Sequence, residues 1–151
     1  MIIRKGFTLV ELLVVIAILA ILSTLGVSNF RTARIKARDL GRKSDLQAIA
    51  KSLEAYVNDH RAYPTSTLDG EIGCTPACPW GSAMTDGQST YMPSLPEDAV
   101  STLSYRYVST GTSYSLYAHL ENPDDRDIES GLGVNCGNLV CNYKITSSNT
   151  Q

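Results

Sequence analysis

Phe7-Thr8-Leu9-Val10-Glu11-Leu12-Leu13-Val14-Val15-Ile16-Ala17-Ile18-Leu19-Ala20-Ile21-Leu22 is apolar everywhere except at Thr8 and Glu11. The run continues through Ser23-Thr24-Leu25-Gly26-Val27 and reaches the roughly 20 residues that cross a bilayer. Glu11 is the anomaly within it. A carboxylate inside such a segment costs about 2.5–3.5 kcal/mol and faces a partner. No Lys, Arg or His lies between Phe7 and Asn29, so the partner comes from outside the run. Upstream, Arg4-Lys5-Gly6 forms a short basic leader ending in a small residue. Cleavage after Gly6 would create a new amine on Phe7, one helical turn from Glu11 or beside the Glu11 of a neighbouring chain. An ammonium and a carboxylate then neutralise each other where unpaired charge is expensive.

Lys5-Gly6-Phe7-Thr8-Leu9-Val10-Glu11 resembles the processing site of class III signal peptides in the type IV pilin superfamily. The resemblance implies a prepilin peptidase that cuts between Gly6 and Phe7 and methylates the new N-terminal phenylalanine. It also implies that Glu11 guides assembly into a filament. A plain signal anchor with one stray Glu is the bland alternative. A secretory signal peptide fits poorly, because the apolar run exceeds an h-region of about 7–15 residues.

The stem carries the resemblance further. Ala37-Arg38-Asp39, Arg42-Lys43-Ser44-Asp45-Leu46, Tyr56-Val57-Asn58-Asp59 and Tyr63-Pro64 are similar to the stems of bacterial pilins and of major pseudopilins of type II secretion. Many of those proteins have a helix-breaking proline near the depth of Ser28. This chain has none, and only Gly26 is near.

Periodicity predicts one long helix from 7 to about 62. Beyond the membrane segment, Leu46, Ile49, Ala50, Leu53, Tyr56 and Val57 repeat at helical spacing and make one apolar face. That face loses register between Gly41 and Asp45. Ser44-Asp45-Leu46-Gln47 has capping-box spacing, so a loosened turn near Gly41 is expected. Tyr63-Pro64 ends the helix, because the residue before proline is pushed out of the α region.

Residues 64 to about 100 hold most of the prolines and many Ser, Thr and Gly, and read as a long loop with little regular structure. Trp80 is expected to anchor that loop on the core. The last third reads as strands: Leu103 to Val108, then Tyr114 to Leu120 in alternation, with Ser109-Thr110-Gly111-Thr112 as the hairpin turn between them. A third strand, Val140 to Ile145, follows an acidic loop. A small antiparallel sheet packed on residues 46–57 gives an α+β head, the architecture that the pilin resemblance implies as well. The division read from the sequence is leader 1–6, transmembrane and assembly helix 7–28, amphipathic stem 29–62 and globular head 63–151.

Cys74, Cys78, Cys136 and Cys141 fall in the acidic head, with spacings C-x3-C and C-x4-C. In a small extracytoplasmic domain two disulfides are the default, and local pairing is favoured over the crossed options. A four-cysteine zinc site is the competitor. The chain has 13 basic and 15 acidic residues, unevenly placed. Arg31, Arg34, Lys36, Arg38, Arg42 and Lys43 cluster on the stem. From Ala62 onward only Arg106, Arg126 and Lys144 are basic, against ten acids. The positive-inside rule would put that stem in the cytoplasm. The leader and the cysteines argue for the opposite orientation, with the head outside.

No catalytic constellation is present in the sequence: His60 and His119 are isolated, with no nucleophile elbow or phosphate loop. The chain is therefore not expected to be an enzyme or to need a cofactor. The best metal candidate is the segment from Glu121 to Glu129, where Asp124, Asp125, Asp127 and Glu129 offer oxygen ligands that a Ca2+ ion favours. Major pseudopilins carry calcium in a loop at roughly this place in the head, although the spacing is not that of an EF-hand. A solvated acidic loop without a metal is the favoured reading of the segment. Nucleic-acid binding by the basic stem is disfavoured, because only Phe30 supplies an interleaved aromatic.

The function expected is that of a structural subunit of an extracytoplasmic type IV pilus-like filament. The alternative is the major pseudopilin of a type II secretion system. A third reading, from another class, is a monomeric membrane-anchored binding domain that uses the Trp80 loop. Expected partners are copies of itself, prepilin peptidase, an inner-membrane assembly platform with its motor, and the membrane. The subunit would sit in the inner membrane with its head outside, and later in a periplasmic or extracellular filament.

Overall fold

The computed structural model describes residues 6–74 and 77–147, apart from the side chains of residues 24–29. Thr8 caps a single helix, α1, that runs from Leu9 to His60. Its 52 residues span about 78 Å at 1.5 Å per residue. The last turn closes on Arg61, which adopts the left-handed conformation (φ 63°) and donates its N–H to the Val57 carbonyl at 2.8 Å. Pro64 follows and prevents any resumption of the helix.

The loosened turn expected near Gly41 does not occur. The helix passes unbroken through Gly41 and Ser44, because Asp39, Arg42 and Lys43 on either side of the glycine are bound to the head. Fixing the neighbouring residues offsets the helix penalty of one glycine, about 1 kcal/mol.

The head is built on one face of the upper helix. Leu46, Ile49 and Leu53 are fully buried, each burial contributing about 1.5–3 kcal/mol. They pack with Ile72, Met84, Leu95, Tyr105, Tyr107, Leu116 and Ala118. Six short strands frame this core: β1 Thr65–Ser66 with β2 Ile72–Gly73, β3 Met84–Thr85 with β4 Thr90–Met92, and β7 Asn135–Cys136 with β8 Leu139–Val140. The region from 64 to 100, expected to hold little regular structure, thus contains two antiparallel ladders. They are only two or three residues long, and Pro93 and Pro96 lie outside them.

The main sheet is antiparallel in the order β5 (Arg106–Ser109), β6 (Tyr114–Ala118), β9 (Tyr143–Thr146). In β6, Tyr114, Leu116 and Ala118 point inward while Ser115 and Tyr117 are partly exposed, which is the alternation that the sequence announces. Gly111 turns the β5–β6 hairpin at φ 91°, and its carbonyl accepts from the Tyr63 N–H at 2.8 Å. Gly137 turns the β7–β8 hairpin at φ 73°, where a Cβ would collide with the Thr102 carbonyl. The fold is α+β: a long N-terminal helix followed by small antiparallel sheets.

Candidate assembly site

At the N-terminal end, Gly6 is open on all sides and Phe7 is largely exposed. Residues 1–5, which carry the basic part of the leader, lie outside the described residues. Thr8 and Glu11 form a reciprocal capping box. The Glu11 N–H donates to Thr8 Oγ1 at 3.3 Å, while the Thr8 N–H and hydroxyl donate to Glu11 Oε2 at 2.9 and 2.8 Å. Glu11 therefore has a partner within its own helix end. Thr8-x-x-Glu11 is the capping-box spacing itself, a signal that reading Glu11 only as a membrane carboxylate passes over.

The apolar side chains from Leu9 to Leu22 stand bare on α1. Among the described residues no helix is long and apolar enough to cross a membrane. The side chains of the run are described only through Ser23, so the expected span to residue 28 lies partly outside the description. The expected boundary at 28/29 falls within the continuous α1, and the one at 62/63 falls just after its end at His60.

The stem cations divide into two groups. The upper three are bound to the chain's own head. Arg42 is buried and donates from Nε and Nη2 to Asp98 at 2.7 and 2.9 Å, and from Nη1 to Asp39 at 2.7 Å. It also meets Glu121 at 2.7 Å. Burial disfavours the Arg42 charge, but these carboxylates more than compensate and raise its pKa. Asp39 accepts the backbone N–H groups of Glu121 and Asn122 at 2.9 and 2.8 Å. Arg38 completes the network with two bonds to Glu121, and its hydrogen bonds, opposed by partial burial, hold the Glu121 carboxyl down at about 2. The lower group, Arg31, Arg34 and Lys36, is exposed and forms no ion pair among the described residues. Arg34 lies over the Phe30 ring at 5.8 Å.

The acidic loop holds the carboxylates named as calcium candidates, and the structure surrounds a lysine with two of them. An ammonium stands among its carboxylates: Lys43 Nζ donates to Asp125 at 2.6 Å and to Asp127 at 2.7 Å, and lies 5.6 Å over the Tyr143 ring. Glu129 pairs with Lys144 at 3.0 Å, while Asp124 is exposed. Among the described residues no three His, Cys, Asp or Glu side chains gather as metal ligands. The donor set fits an internal cation better than a metal, because Lys43 already takes the charge that would attract one.

Cys74 bonds to Cys78 and Cys136 to Cys141. The first closes the loop ahead of Trp80, and the second ties β7 to the residue after β8. With all four sulfurs in disulfides, the cysteines form no zinc site. His60 Nε2 lies 2.8 Å from Asp86 Oδ2, and Tyr91 donates to the same oxygen at 3.0 Å, pinning the β3–β4 hairpin to the helix end. His119 Nδ1 lies 2.7 Å from the Val140 carbonyl. Each histidine thus joins two structural elements. Trp80 packs edge-on to Tyr105 with ring centres 5.9 Å apart. The two rings line an open cleft of about 450 Å³ together with Glu71, Glu97, Asp98 and Leu103.

Residues 1–27 match the family model of the prokaryotic N-terminal methylation motif. The chain is 31% identical over 136 residues to type II secretion system core protein G of Vibrio cholerae, covering 89% of this chain and 91% of that protein. With core protein G of Pseudomonas aeruginosa the identity is 34% over 136 residues, covering 85% and 94%. With the type IV wide pilus major component PilA4 of Thermus thermophilus it is 42% over 62 residues, covering 41% and 47%. No solved structure matches.

Proposed function

The chain belongs to the type IV pilin superfamily, with core protein G of type II secretion among its relatives, and from that membership we propose how it works as the structural subunit of a filament. Cleavage between Gly6 and Phe7 removes the leader, and the Phe7 amine is methylated. The apolar segment from Phe7 to about residue 28 holds the subunit in the cytoplasmic membrane, head outside, until an assembly platform and its motor draw it out. The apolar helices then bundle at the filament centre, and Glu11 pairs with the Phe7 amine of a neighbour. The role is structural, not catalytic.

The bare apolar surface from Leu9 to Leu22 carries this reading. Such a surface is stable only in lipid or against other apolar helices. The capping box gives the mechanism a starting state. Before assembly Glu11 is satisfied by Thr8. After cleavage, the methylated amine of a neighbour offers a charged donor instead, a stronger partner for a carboxylate than a neutral one.

Two filaments fit. A type IV pilus is the main reading. A type II secretion filament is the second, favoured by matches that run nearly the full length of core protein G. Mass spectrometry of the subunit purified from membranes of its own host tests the pathway. A mature chain starting at methylated Phe7 is expected; an intact Met1 start would overturn the proposal. Shearing the cells then separates the two systems, because a pilus releases subunits from the surface and a periplasmic filament does not.

A further inference from the structure

The stem has more cations than its own head uses. Arg38, Arg42 and Lys43 are bound to Glu121, Asp98, Asp125 and Asp127 of the same chain. Arg31 and Arg34 sit on one face of the helix, three residues apart, exposed and outside every ion pair among the described residues. The head has a matching surplus. In the Trp80–Tyr105 cleft, Asp98 is bound by Arg42, and nearby Asp45 accepts the Tyr105 hydroxyl at 2.6 Å. Glu71 and Glu97 at the rim form no ion pair among the described residues. Glu97 lies against the turn beside Trp80, where a Cβ on Gly81 would stand 3.1 Å from its carboxyl group. Two free carboxylates beside two aromatic rings suit a guanidinium, which pairs with carboxylates and stacks on π faces.

The chain's own arginines cannot fill this cleft. Arg34 and Arg31 lie eight and eleven residues before Arg42, which reaches Asp98 in the cleft wall. At 1.5 Å per residue they sit about 12–17 Å lower along the stem. A second copy displaced axially by that distance brings its own Arg31 and Arg34 level with the cleft. We infer that the Trp80–Tyr105 cleft, with Glu71 and Glu97 at its rim, is a docking site for Arg31 and Arg34 of a neighbouring copy of this chain. The contact would set the axial step between subunits outside the apolar bundle. This inference rests on the filament reading.

Charge reversal in the full-length chain, expressed in its own host, tests it. Glu71→Lys with Glu97→Lys should lower the filament yield at least about tenfold, since like charges across an interface are strongly disfavoured. Arg31→Glu with Arg34→Glu should do the same, and combining all four changes should restore the yield to within about threefold of the starting protein. Subunit levels in membranes and melting of the detergent-solubilised subunits should not change, because all four side chains lie outside the core. Coexpressed Glu97→Cys and Arg34→Cys subunits should be joined by a short bismaleimide crosslinker, since an Arg–Glu pair holds its backbones beyond the reach of a direct disulfide. Filaments at the normal yield after reversal of the head carboxylates would overturn the inference. So would a quadruple variant no better than the stem reversal, which would send the arginines to anionic lipid instead. If the starting protein yields no filaments, the filament reading fails by itself, and the interchain crosslink in membranes then decides whether the contact exists.

Discussion

On the upper stem Leu46, Ile49 and Leu53 have no exposed surface, whereas on the lower stem Leu9 to Leu22 remain between 46% and 78% exposed. Both stretches belong to one unbroken helix. The upper stretch concentrates its apolar residues on one face, and the same chain supplies a sheet to cover that face. The lower stretch is apolar all round, so no single head could cover it. A helix of that kind is finished by lipid or by several other helices. The clustered cations from Arg31 to Lys43 divide as well: Arg38, Arg42 and Lys43 are paired with the head, while Arg31, Arg34 and Lys36 form no ion pair among the described residues. The upper stem completes a fold, and the lower stem is left for an assembly.

The difference predicts opposite responses to similar substitutions. Arg42→Ala should have the largest effect on the isolated subunit, about 3–5 kcal/mol, because it leaves Asp39 and Asp98 buried without their cation. Urea unfolding of the head reads this directly, and a loss below 1 kcal/mol would show that the network is dispensable. Leu53→Ala should cost about 2–5 kcal/mol as a core cavity. Ile16→Ala, a comparable truncation on the lower stem, should leave subunit stability unchanged and reduce only assembly. Equal destabilisation by the two would break the division between the stretches.

Much of this was legible in the sequence. The spacing of Leu46, Ile49 and Leu53 marks the covered face, Tyr63-Pro64 marks the helix end, and the alternation from Tyr114 to Leu120 marks the central strand. The processing motif is local and depends on no distant contact. The pairings were not legible. Arg42 meets Asp98 across 56 residues and Lys43 meets Asp125 across 82, and no local pattern says which acid meets which cation. The acidic loop looks the same in sequence whether it holds a metal or a lysine. The placement of Lys43 between Asp125 and Asp127 is visible only in the fold. The ladders β1–β2 and β3–β4 are too short to produce a detectable period.

Two smaller effects sharpen the picture of the head. Removing the Cys136–Cys141 bond by paired Cys→Ser changes should cost about 2 kcal/mol, the loop-closure value for so short a loop. Thermal melts under oxidising and reducing conditions check it, and no change in either would show that the hairpin holds without its staple. The smallest effect is a pH dependence. Glu121 is held down from 4.5 to about 2, so its pairing stabilises the fold above pH 4.5 and is lost as the pH falls through about 2. Glu121→Gln should flatten the stability profile over that window. A variant profile as steep as that of the unmodified chain would assign the acid sensitivity elsewhere.

The central claim is that the lower stem is built for assembly and that Glu11 guides it. Glu11→Ala subunits, expressed in the native host and separated into membrane and filament fractions, test it most directly. The account predicts that the variant enters the membrane at normal levels and is missing from filaments. Filaments of normal abundance containing the variant would contradict it.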